Sequence, residues 1–289
     1  MQTLKTLFLP LVFAGIIDIG RYFFYPNIDD LKEIRPIPTA FMEYRQAEWA
    51  EQNRDIKLQQ KWVPMSQISP NVIKAVLIGE DDKFWNHDGF DVKGMEQALE
   101  RTLKKGKMAG GSTISQQLSK NLYLSPSKNP VRKIKEAIIT WRIEKSLSKR
   151  RILEIYLNVA EWGDGIFGIE AAARHYYHKS AKNLSGLEAA HLAAVLPNPI
   201  RFNPTGDQKY VKNRSRIIYQ IMKRRGIVIP AFKEVMTPTK KEEITETSAE
   251  NNESVVDLFN APSSNDSSAP QSDNIGSQEP TDQNGSLTF

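Results

Sequence analysis

Apolar positions recur three and four residues apart through most of the chain between Pro64 and Pro199, the spacing of buried helix faces. In "ISPNVIKAVLIGED", Ser69 is placed as N-cap and Pro70 at the first helical position, with Val72, Ala75, Val76 and Gly79 on one face and a helix end at Glu80. The same spacing predicts helices over 92–104, 113–124, 131–147, 150–159, 166–177 and 187–196. Ile152, Leu153, Tyr156 and Val159 form a core face, and the Ala-rich turn from Glu170 to Arg174 lets a helix pack closely. Runs of β-branched residues with period two are absent, so the main body, 64–239, is expected to be mainly α-helical, with Gly- and Pro-rich joints and no internal repeat. Residues 26–63 are polar with scattered aromatics and read as a connector or small lobe.

The two ends depart from this pattern. Near the N-terminus a charge-free apolar run from Thr6 to Ile17 is followed by an aromatic cluster, Tyr22 to Tyr25. The span 4–24 is long enough to cross a bilayer, with Tyr22 and Tyr25 where an aromatic belt sits, so residues 1–25 read as an uncleaved anchor with the rest exported. Asp18 interrupts the span; a cleaved signal peptide would share the apolar length, but no A-x-A site follows, and a buried helix of a soluble protein is the third reading. Residues 240–289 are rich in Ser, Asn, Gln and Pro with isolated apolar positions, the composition of a disordered acidic tail.

Separating that tail changes the charge. The tail holds two of the 39 Lys and Arg and ten of the 34 Asp and Glu, which leaves +13 on residues 1–239 against −8 on the tail. A body so basic expects an anionic partner: nucleic acid, anionic lipid or a phosphorylated substrate. No nucleic-acid reading motif accompanies the charge, and the export-type N-terminus argues against that class. With no cysteine in the chain, no disulfide contributes.

Three stretches carry candidate chemistry. In "GEDDKFWNHDG", Glu80, Asp81 and Asp82 end a helix, where the macrodipole disfavours negative charge. A carboxylate there that is also desolvated gains the basicity of a general base; a solvated acidic turn, with His87 and Asp88 in local hydrogen bonds, is the plainer alternative. In "AGGSTISQQLSKNLYL", Gly110 and Gly111 permit a close turn, and Thr113 and Gln116 have capping-box spacing. Ile114, Leu118 and Leu122 form the buried stripe of that helix, with Gln117 and Lys120 on another face, Gln116 nearer the flank, and Lys104, Lys105 and Lys107 before it; the stretch lacks the P-loop pattern. In "NPVRKIKEAIITWRIEKSL", Asn129 caps, Pro130 opens the helix, and Arg132, Lys133 and Glu136 are spaced to share one exposed face. Two cations there could hold a phosphate while Glu136 orients them or a metal ion; a surface ion pair is the alternative.

Taken in order, "EDDKFWNHDGFD", "GGSTISQQLSKNLYL", "RKIKEA", "RRILEIYLN" and "GIFGIEAAARHYY" resemble the peptidoglycan glycosyltransferases of glycosyltransferase family 51, and within it the monofunctional transglycosylases. The resemblance covers about residues 64–199. Two positions differ: Asp82 stands where many bifunctional members carry a basic residue, and Ser115 where many carry Thr. The resemblance implies a lysozyme-like, mainly helical glycosyltransferase domain over 64–239, with a small membrane-proximal lobe. It implies inverting polymerisation of lipid II by a single-pass protein of the bacterial inner membrane, the catalytic domain being periplasmic. Glu80 carries over as general base, and Lys120, Arg132 and Lys133 as pyrophosphate contacts organised by Glu136. Asp81, Phe84, His87, Ser112, Thr113, Gln116, Gln117 and Asn121 complete the implied substrate site, His87 as a brace of its turn. A divalent cation, Mg2+ or Mn2+, is the implied cofactor. Lipid II, the growing glycan strand, the membrane and cell-wall synthesis or division proteins are the implied partners. A lysozyme-like hydrolase and a non-catalytic scaffold are the rival readings.

Overall fold

A computed structural model describes residues 13–105, 110–126 and 129–226. The expected disordered tail lies outside the described residues, as do Lys107 and the first nine positions of the apolar span 4–24. Residues 13–20 are helical and lead into a 3-10 turn, Arg21–Phe23. Among the described residues no helix is long and apolar enough to cross a membrane.

The fold is mainly α-helical, with α1 (Ala40–Glu51), α2 (Pro70–Glu80), α3 (Val92–Lys105), α4 (Ile114–Tyr123), α5 (Pro130–Ser146), α6 (Lys149–Val159), α7 (Ile169–Tyr177), α8 (Gly186–Val195) and α9 (Lys209–Arg224). The expected caps form. Ser69 Oγ accepts from the Asn71 N–H ahead of Pro70, Asn129 Oδ1 accepts from the Val131 N–H ahead of Pro130, and Thr113 and Gln116 close a reciprocal capping box on α4. Each satisfies donors that a helix start leaves unpaired.

Two helices, α1 and α9, exceed the pattern read from sequence. α1 lies in the stretch read as a connector or small lobe and buries Phe41, Met42 and Trp49 in the main core. α9 follows Pro199 and buries Val211, Ser215, Ile218 and Met222, a stripe spaced by three and four. The helix expected over 166–177 starts late, because Ile166–Phe167 is a strand and Gly168, at φ +79°, turns the chain into α7. That strand, β3, pairs in parallel with β1 (Gln59–Gln60) and antiparallel with β2 (Glu161–Gly163), in the order β1-β3-β2.

Packing explains how the site is positioned. α8, nearly all Ala and Leu on its buried faces, packs against both α2 and α9. α4 packs against α1, α5 and α6. α6 is central: its residues from Ile152 to Val159 are all buried, and Asn158 ties it to the approach to α2, accepting from the Val63 N–H at 2.8 Å and donating to the Val63 carbonyl oxygen at 2.9 Å. The Asn158 amide thereby satisfies the buried backbone groups of Val63 that water cannot reach.

Candidate active site

The acidic stretch after α2 divides by environment. Glu80, the last residue of α2, has a side chain only 10% exposed. Its Oε2 accepts from Gln117 Nε2 at 3.0 Å and its Oε1 from Arg214 Nη2 at 3.1 Å. Gln117 is itself oriented, because the buried Tyr156 hydroxyl donates to its Oε1 at 2.9 Å and so leaves the amide NH2 to face Glu80. Burial pushes the Glu80 carboxyl above the usual carboxylate range, while the Gln117 and Arg214 contacts pull the other way. Burial also holds the Tyr156 hydroxyl well above the ordinary tyrosine range, so it stays a neutral donor.

Asp81 faces inward as a brace. It accepts from the Ile114 N–H at 3.0 Å, joining the end of α2 to the start of α4, and contacts His87 Nε2 at 2.9 Å. His87 Nδ1 accepts from the Gly89 N–H at 3.1 Å, which assigns the ring proton to Nε2 and makes that nitrogen the donor to Asp81. Asp82 is exposed and pairs with Arg225 just past α9, one contact being 2.9 Å.

α4 is the spine of the site. Gln117 and Lys120 lie one turn apart on it, so about 4.5 Å of helix rise separates the residue holding Glu80 from the ammonium-bearing residue. Lys120 is partly buried, and burial lowers its pKa. Across from it on α5, Glu136 pairs with Arg132 at 2.5 Å and with Lys133. This trio meets as its spacing suggests, with one correction: Glu136 is 3% exposed and does not lie on a solvated face. The cause is the close contact of α5 with α4, where Ser119 Oγ donates to the Glu136 carbonyl oxygen at 3.3 Å. Arg132 is partly exposed and Lys133 exposed, so the cations reach out over the buried carboxylate.

Several of the implied substrate contacts are buried. Phe84 is fully buried, in edge-to-face contact with Trp85 at 4.9 Å, and packs the turn from inside. Thr113 and Gln116 are buried and closed on one another by the capping box, and Asn121 is buried in α4. Ser112 is exposed at the start of α4. Arg214 and the Tyr156 hydroxyl are the members that sequence reasoning missed. The amphipathic period of α9 was a legible signal for the helix, but none pointed Arg214 at Glu80.

A Mg2+ or Mn2+ ion is usually held by one or two carboxylates together with substrate phosphates. Both oxygens of Glu136 already face cations, and among the described residues no three His, Cys, Asp or Glu side chains form a cluster able to hold a metal ion. Among the described residues, Lys120, Arg132 and Lys133 are the cations beside Glu136.

A buried carboxylate of raised basicity, held by Gln117 on a helix that carries Lys120 one turn further on, is an arrangement that can take a proton beside a departing anion. Comparison with known proteins makes this specific: the transglycosylase family model matches residues 47–223, and the chain belongs to that family. It is similar to a biosynthetic peptidoglycan transglycosylase of Aromatoleum aromaticum, 53% identical over 189 residues, 64% of this chain and 82% of the relative. Its likeness to the protein of the same description from Nitrosospira multiformis is 45% over 209 residues, 72% of this chain and 91% of the relative. For that of Laribacter hongkongensis it is 50% over 188 residues, 65% and 82%.

Proposed function

We propose that this chain is a peptidoglycan glycosyltransferase of cell-wall synthesis, which polymerises lipid II into glycan strands. The observation that carries this reading is the buried Glu80, held at the end of α2 by Arg214 and by Gln117, which lies one turn of α4 from Lys120. In the reaction, the 4-hydroxyl of an acceptor GlcNAc attacks C1 of the donor MurNAc. The C1–O bond to undecaprenyl pyrophosphate breaks with inversion, and the hydroxyl proton passes to the Glu80 carboxylate. A base of raised pKa suits that transfer near neutral pH, a contribution typically worth about 10²–10⁴-fold. Pyrophosphate leaves as a stable anion, so the departing oxygens need positive charge more than a proton donor. Lys120, Arg132 and Lys133 supply it, with Glu136 fixing the last two.

The reading places the protein in the cell envelope, anchored in the inner membrane by its N-terminal segment with the catalytic domain on the periplasmic side. The apolar span 4–24 supports this, as do the exposed side chains of Phe13, Ile16, Ile17, Phe23 and Phe24. The decisive experiment is incubation of the purified full chain with labelled lipid II, following polymer on a gel. Polymer from wild type but none from Glu80→Gln is expected. No polymer from well-folded wild type, with cleavage of finished glycan instead, would turn the reading to a hydrolase.

A further inference from the structure

Lys120 differs from the other cations of the site. Arg132 and Lys133 share Glu136, and Arg45 holds Glu161 and Glu48, but Lys120 has no ion pair among the described residues. Lys120 and Arg45 lie over the same Phe41 ring, and Arg45 in turn holds Glu161, so that carboxylate belongs to the same cluster. The charged groups that bear on its ammonium are Glu136, Arg132 and Lys133 from α5 and Glu161 from β2. α1, which packs on α4, presents the Phe41 ring, whose centroid lies 5.6 Å from Lys120 Nζ.

Glu161 is the group with reason to capture Lys120. It is buried, and burial raises its pKa, so an available cation would be strongly attractive to it. It is prevented because Arg45 occupies both its oxygens, Nε on Oε1 at 2.9 Å and Nη2 on Oε2 at 2.9 Å. Arg45 is fixed in turn by Glu48 at 2.6 Å and by lying 5.0 Å from the centroid of the same Phe41 ring. Since two carboxylates offset the Arg45 charge, the ring keeps attraction for a second cation.

Resting on the function proposed above, we infer that Arg45 and Phe41 are positioning residues that keep Lys120 unpaired for the donor pyrophosphate. Arg45 does so by engaging Glu161 with a two-pronged contact, and Phe41 by giving the ammonium an aromatic face to rest on in place of a carboxylate. Without Arg45, Glu161 competes with the phosphate for Lys120. Apparent affinity then falls by the fraction of molecules in which Lys120 stays free, so capture in nine of ten molecules weakens binding about tenfold.

The test is calorimetric titration of the full chain with inorganic pyrophosphate, with Lys120→Met as the reference for binding that bypasses Lys120. Arg45→Leu is expected to weaken binding about tenfold, and Arg45→Leu/Glu161→Gln to restore it, a rescue that a merely structural role would not produce. Should Arg45→Leu fail to fold in a thermal melt, Phe41 decides: Phe41→Tyr keeps the ring and the affinity, whereas Phe41→Leu loses affinity. Wild-type affinity in folded Arg45→Leu, a double variant as weak as the single one, or equal losses in Phe41→Tyr and Phe41→Leu would each overturn the inference. Polymer formation, assayed on the same preparations, separates the two readings. Polymer without Lys120-dependent pyrophosphate binding sinks the inference alone. Rescue by the double variant without any polymer from wild type sinks the function alone.

Discussion

One guanidinium nitrogen of Arg214 donates both to the Gly79 carbonyl oxygen, at 2.7 Å, and to Oε1 of Glu80, at 3.1 Å. The contact answers two liabilities at once. The C-terminal end of α2 carries the negative pole of its dipole, and Glu80 adds a buried negative charge there. Arg214 opposes both while leaving burial the dominant influence on the carboxyl.

Arg214, together with Gln117, therefore limits how far the Glu80 carboxyl is raised. Replacing it by Leu removes a charge that favours the carboxylate, so the acid limb of the kcat/KM profile should move to higher pH. Each unit of movement corresponds to about 1.4 kcal/mol and lowers activity about tenfold on the acid side. The pH–rate profile of Arg214→Leu checks this; an acid limb coincident with wild type would show that Arg214 does not tune Glu80.

Glu80→Gln should abolish polymerisation, a loss of at least about 10²-fold, and should also stabilise the fold. The folded pKa of Glu80 is raised, so its contribution is fully favourable below the unfolded carboxylate value and is lost as pH rises through the folded one. The stability difference between the variant and wild type should be near zero in acid and grow toward neutral pH. A gain of roughly 0.5–2 kcal/mol is the usual scale when a functionally constrained group is relieved. Denaturant titrations of both proteins at acid and neutral pH read it out. A variant less stable than wild type at neutral pH would mean that the Gln117 and Arg214 contacts outweigh burial.

How much of this was legible in the sequence depends on the range of the interaction. Helices closed by local chemistry, such as α2 with Ser69 and Pro70, and α4 with Thr113 and Gln116, are readable because cap and first turn are neighbours. The trio Arg132, Lys133 and Glu136 is readable for the same reason, but the burial of Glu136 is not, since it depends on α4 lying against α5. The strands are two or three residues long, too short to display a period of two. Contacts such as Tyr156 to Gln117 and Arg214 to Glu80 join residues 39 and 134 positions apart, and nothing local encodes them.

The buried Glu136 predicts a split between donor and acceptor kinetics. Glu136→Gln leaves Arg132 and Lys133 adjacent without their shared counter-charge, so they spread apart and lose their common aim. Lys133→Ala removes one charge-assisted contact, worth about 1.5–3 kcal/mol when made to an ion. Both variants should lower turnover with the loss expressed in the donor, and varying donor and acceptor concentrations separately will show it. Unchanged donor kinetics in both variants would remove the trio from the pyrophosphate site.

The hold of α4 on the Glu80 turn predicts a long-reaching effect of a small substitution. Gly89 has φ +89°, and a Cβ there would lie 2.9 Å from both Glu144 Cγ and Thr140 Cγ2 on α5. Its N–H donates to His87, which holds Asp81, and its carbonyl oxygen accepts from Thr113 Oγ1 at 2.6 Å, at the cap of α4. Gly89→Ala forces this turn off α5 and should cost about 1–3 kcal/mol from backbone strain alone, lowering the melting midpoint by roughly 2–4 °C per kcal/mol. Since Gln117 rides on α4 and reaches Glu80, polymerisation should fall by more than the folded fraction does. A melting midpoint and turnover equal to wild type would show that the turn is free to shift, and that the Asp81–His87–Gly89 contacts do not hold the base in register with α4.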